Sequence, residues 1–67
     1  MSTSERITSV EKMYQVLKNV KEQGDEWYKK AREFVRVVED GLLKMPDEDF
    51  LTAITYWVEE LLPKAPL

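Results

Sequence analysis

Apolar side chains recur along the first two thirds of this chain at alternating steps of three and four residues. They fall at Ile7, Val10, Tyr14 and Leu17, then, beyond Lys21 and Gly24, at Tyr28, Ala31, Val35, Val38 and Leu42. That spacing gathers them on one stripe of an α-helix, the heptad pattern of a packed seam. Met13, Val20, Trp27 and Phe34, spaced at sevens, widen the stripe. No segment alternates with period two, and no hairpin dipeptide such as Asn-Gly occurs. The pattern predicts an all-α fold.

The helix boundaries follow from capping chemistry. Ser2…Glu5 and Thr8…Glu11 both match the pattern in which a hydroxyl and a carboxylate each satisfy a free backbone N–H, so the first helix begins between Thr3 and Thr8. Gly24-Asp25 supports two readings. Gly suits the position after a helix and Asp the position before one, so the pair could separate two helices. The seam nevertheless keeps its register through the pair, and Lys21–Asp25 and Glu26–Lys30 make favourable i,i+4 pairs in a continuous helix. The reading adopted is one long helix over about 5–43, kinked at Gly24 at a cost of about 1 kcal/mol. A monomeric three-helix bundle is the alternative. After Gly41–Pro46 a second helix is expected over 47–62, with Asp47, Glu48 and Asp49 at its positive N-terminal end. Phe50, Leu51, Ile54, Trp57, Val58, Leu61 and Leu62 form its apolar arc, and Pro63 ends it. The chain reads as one domain, 1–67, with 1–3 and 63–67 frayed.

These lengths imply an assembly. The long helix would span roughly 60 Å and its antiparallel neighbour only about 24 Å. Much of Ile7–Val20 would stay uncovered, so a homodimeric helical bundle is expected, with Ile7, Val10, Tyr14, Leu17, Tyr28, Ala31, Val35, Val38 and Leu42 as its core or dimer seam.

Composition narrows the function. The chain has 67 residues, no Cys and no His. Disulfide scaffolds, cysteine nucleophiles, histidine bases and His-ligated metals therefore drop out. No run approaches the roughly 18 apolar residues of a membrane span, and MSTSERITS lacks the apolar core of a signal peptide, so a cytoplasmic location is expected. The net charge of -3 is uneven: residues 1–36 carry eight basic and six acidic groups, residues 37–67 two basic and seven acidic. A dense basic patch of the kind that neutralises phosphates is missing, which disfavours nucleic acid.

No catalytic group stands out. Glu59 and Glu60 are adjacent on a helix and point about 100° apart, so they do not form a carboxylate pair. Asp47, Glu48 and Asp49 lack the spaced ligands and glycine of a calcium loop. Neither enzyme activity, cofactor nor metal is expected. The reading is a small protein–protein interaction module, a regulator, adaptor or inhibitor acting by docking a helical face, whose partners are a second copy of itself and an unidentified protein. Its candidate partner face is Val37 and Tyr56, off the main seams, with the basic stripe Lys29, Arg32 and Arg36. The rivals are a dimeric nucleic-acid-binding regulator using that stripe, a structural assembly component, and an acidic surface mimicking nucleic acid.

Overall fold

Ser2 starts the first helix. Its Oγ accepts the Glu5 backbone N–H at 3.2 Å, and the Glu5 carboxylate reaches back to the Ser2 N–H at 3.4 Å, a reciprocal cap. Thr8, the other candidate start, lies one turn inside and donates its hydroxyl to the Ser4 carbonyl. The computed structural model describes residues 2–20 and 25–66. Over these it is all-helical, without strands: α1 spans Thr3–Val20, α2 Asp25–Asp40 and α3 Asp47–Tyr56. The chain then widens into a π-turn at Trp57–Leu61 and tightens into a 3-10 turn at Leu62–Lys64.

Three helices replace the two expected. On one straight helix Arg6 and Leu42, 36 residues apart, would stand about 54 Å from each other. Instead the Arg6 guanidinium donates to the Leu42 carbonyl at 2.8 Å, and the longest dimension of the fold is 33 Å. α1 and α2 therefore lie side by side and antiparallel, and a long helix over 5–43 is excluded. The physical reason is economy of surface. Folding α2 back on α1 covers the heptad stripe within one chain, whereas the extended helix leaves it wet. The expectations for the junction itself, a capping Gly24 and an ion pair from Lys21, lie outside the described residues.

The core forms where the three stripes meet. Val10, Met13 and Leu17 of α1 are buried against Ala31, Val35 and Val38 of α2 and against Phe50, Trp57 and Leu61 of the last segment. Phe50 is fully buried, and removing such a ring from water contributes about 1.5–3 kcal/mol. Aromatic rings seat the C-terminal segment on α2: Trp57 stacks on Phe34 with centroids 6.4 Å apart and planes 12° apart, and lies 6.3 Å from Trp27. At the far end, the Trp27 indole N–H donates to the Leu61 carbonyl at 2.8 Å. That carbonyl is available because the ladder has shifted. Pro63 has no N–H, and nearby the Leu62 N–H bonds five residues back to Trp57 while Ala65 N–H returns only to Leu62.

Arg6 fixes the other end. It is buried, its head donating at once to the Leu42 carbonyl and, at 2.6 Å, to the Asp47 carboxylate, with the guanidinium carbon 5.0 Å from the Phe50 ring centre. One side chain of α1 thereby ties the end of α2 to the start of α3. The guanidinium also holds the Asp47 carboxyl below its ordinary value of 3.8. The stability that this pair contributes is therefore present above that value and lost as pH falls through the lower folded-state one.

Three outcomes are expected. Phe50→Ala should cost about 3–5 kcal/mol in urea unfolding, close to the whole margin of a domain this small; a loss under about 1 kcal/mol would contradict its core position. Arg6→Ala should cost about 2–3 kcal/mol at neutral pH. Asp47→Asn should flatten the acid limb of the stability curve below about pH 4, and an unchanged acid limb would exclude the pair as its source.

Candidate functional site

The heptad stripe divides once the helices pack. Val10, Leu17, Ala31, Val35 and Val38 are buried, and Tyr28 and Leu42 pack partly buried against them. Ile7 and Tyr14 instead face outward, 45% and 38% exposed. α2 presses on one flank of α1 only, so the outer part of its wide apolar face is left on the surface. There the Tyr14 hydroxyl donates to the Glu39 carboxylate at 2.8 Å and ties α1 to α2. Partial burial, then this bond to a carboxylate, push the Tyr14 pKa above its ordinary value of 10.0. The positive charges of Arg36 and Arg32 act on the same hydroxyl in the opposite sense.

The candidate partner face read from the sequence does not assemble as one patch. Arg32 and Arg36 lie on the Tyr14 flank of α2. Lys29, seven residues before Arg36 and so on the same outer row of α2, also borders the other flank, where with Lys30, Phe34, Tyr56 and Leu61 it lines a shallow depression between α2 and the C-terminal segment. Tyr56 packs on Phe34 with ring centroids 5.2 Å apart and remains half exposed. Val37, one helical turn beyond Phe34, is exposed. Lys29 thus stands between Arg32 and Arg36 on one side of the helix and the aromatic part on the other.

A different surface brings apolar groups together. α1 and α3 run parallel, held at their N-terminal ends by the Arg6–Asp47 contact. Along the rest of their length a groove of about 310 Å³ opens between them, lined by Ser9 and Lys12 at one end and by Met13, Val16, Ile54, Trp57, Val58 and Leu62. Val58 is 50% exposed, and Leu51, two turns before it on the same edge, is 49% exposed. Its elements explain the groove. Phe50 and Trp57 are large, and they hold α3 away from α1 at the level of the smaller Ser9 and Val16. Val16 is off the seam, and the apolar arc of the last helix is too wide for one neighbour to cover. Those two features are the sequence signal of this groove.

Among the described residues no three His, Cys, Asp or Glu side chains converge to hold a metal ion. Asp47, Glu48 and Asp49 occupy the first turn of α3, where its N–H groups point. Glu59 and Glu60 are solvent-exposed. Among the described residues no helix is long and apolar enough to cross a membrane. No family model matches the chain, and neither a curated protein nor a solved structure shows significant similarity to it.

Surface and core positions of the last segment should respond differently. Val58→Asp is expected to change stability by less than about 1 kcal/mol, because the side chain already meets water. Trp57→Ala should cost about 3–5 kcal/mol. Equal losses at both positions in thermal melts would place Val58 in the core. At high pH, stability should fall as Tyr14 ionises: the contribution of its neutral form is complete below pH 10.0 and is lost as pH rises through the higher folded-state value. Tyr14→Phe should remove that part of the alkaline dependence; an identical alkaline limb in the variant would count against the Glu39 contact.

Proposed function

We propose that this chain is a small non-catalytic protein–protein interaction module, a regulator, adaptor or inhibitor that works by presenting a helical docking face to a larger protein. The observation that supports this reading is the α1–α3 groove. Apolar side chains line it along about two helical turns, and one of them, Val58, stands half in water, as does Leu51 two turns before it. Single exposed apolar residues are ordinary, but a continuous apolar groove in so small a domain is the kind of surface that takes an amphipathic helix. The depressions around Tyr56 and Lys29 are shallower in chemistry, mixing both charges.

The argument for a second copy changes with the fold. It rested on a 60 Å seam without cover, and the buried part of that seam is now covered within one chain. A copy of the chain and a different protein are both occupants that a docking module admits, and the outer faces of α1 and α3 decide between them. The basic row Lys29, Arg32 and Arg36 is short, enough for about three phosphates, which leaves nucleic acid the weaker reading.

A photocross-linking amino acid at position 58 should trap one discrete protein from an extract of the source cells, and the same group at position 8, on the outer face of α1, should not. Adducts of equal yield and identity from both positions, or none from position 58, would remove the reading of the groove as a docking face.

A further inference from the structure

Charge around the α1–α3 groove differs between its two rims. The α3 rim is carboxylate only. Glu48 and Glu59, both exposed, lie with Thr55 in a row on the outer side of the Leu51–Val58 edge, and residues 47–62 contain no basic side chain at all. The α1 rim is nearly neutral, with Ser9 and Lys12 on the groove and Glu5 in the same row as Lys12, two turns before it. Building on the docking reading above, we infer that the occupant of this groove is a basic amphipathic helix from another protein, lying with its apolar stripe on Val16, Ile54, Val58 and Leu62 and its Lys/Arg flank over Glu48 and Glu59 of α3.

Three observations carry the choice. The groove lining from Ile54 to Leu62 is about 12 Å long, roughly two turns of helix, which suits apolar anchors at i, i+3/i+4 and i+7 on the occupant. The unopposed carboxylates favour positive charge on one flank of that occupant, which sets its orientation and speeds its approach. Finally, this chain does not supply such a helix itself. Its own apolar stripes are used in its core, its last helix is acidic, and each copy carries a net charge of -3. A second copy would bring like charge to the rim.

The test uses the full chain and two synthetic helical peptides of about 16 residues, one built of Leu and Lys and one of Leu and Glu with the same apolar spacing. Methyl NMR shifts at Ile54 and Val58, together with Trp fluorescence, report occupancy. The Leu/Lys peptide should bind at least about tenfold more tightly at low salt, with the difference shrinking as salt rises. Val58→Asp should abolish the response of the Ile54 methyl, and Glu48→Lys with Glu59→Lys should invert the preference between the peptides. Equal affinity for the two peptides, or Leu/Lys binding whose shifts fall elsewhere on an intact fold, would overturn the basic-helix assignment. So would concentration-dependent self-association that moves the Ile54 and Val58 methyls. In that last case the groove still docks a helix, and the docking reading survives; failure of both the peptides and the position-58 cross-link removes the two together.

Discussion

The fold depends on one guanidinium. α1 and α2 pack as a hairpin through the apolar stripe they share, but α3 follows a short turn and could leave that turn in many directions. Arg6 selects one. Its planar fork takes the last-turn carbonyl of Leu42 on one nitrogen and the Asp47 carboxylate on another, and it rests against the Phe50 ring. A lysine offers a point charge in place of that fork and does not meet both acceptors in one geometry. The position is also economical in desolvation. Arg6 is buried while Asp47 keeps half its side chain in water, so a single charge is taken from solvent, and it is compensated on two sides.

Once α3 is aimed, the aromatic residues set its distance. Phe50 and Trp57 occupy the space between α3 and the α1–α2 pair, and Phe34 and Trp27 receive Trp57 in a tilted stack. Large rings at the contact hold the helix axes apart, so α3 covers the middle of the hairpin and leaves its α1 side open. The groove is therefore a by-product of how the core was filled. The same side chains that stabilise the bundle keep Val58 and Leu51 at the surface.

The period of three and four made the all-α class legible, and the residues flanking Pro46 located the start of α3. The heptad stripe correctly marked Val10, Leu17, Ala31, Val35 and Val38 as apolar positions of one face, but it could not say whether that face continued straight or folded onto itself. Register carried through Gly24 is compatible with both, because a hairpin whose arms share a seam preserves the same spacing. Ile7 and Tyr14 have the same spacing as their buried neighbours and differ only in which helix lies beside them. Arg6 was invisible for a related reason: a charged residue on the first turn ordinarily faces water, and only its tertiary partners, 36 and 41 positions away, give it another role. The groove was partly legible, in the off-seam Val16 and the broad arc of the last helix. The distance of Arg32 and Arg36 from Tyr56 was not, since it requires knowing on which sides of α2 its neighbours pack.

The π-turn at Trp57–Leu61 amounts to one residue more than a regular helix would hold over the same length. Everything beyond it is rotated by about 100° relative to an uninterrupted α-helix. Leu61 is buried, with its carbonyl on the Trp27 indole, and Leu62 is on the groove edge. A one-residue deletion inside 58–60 would take up the extra residue and restore the regular winding while leaving Leu61 and Leu62 in the same surroundings. Length variation at this point of the chain is thus absorbed in the width of one turn and spares the core on either side of it.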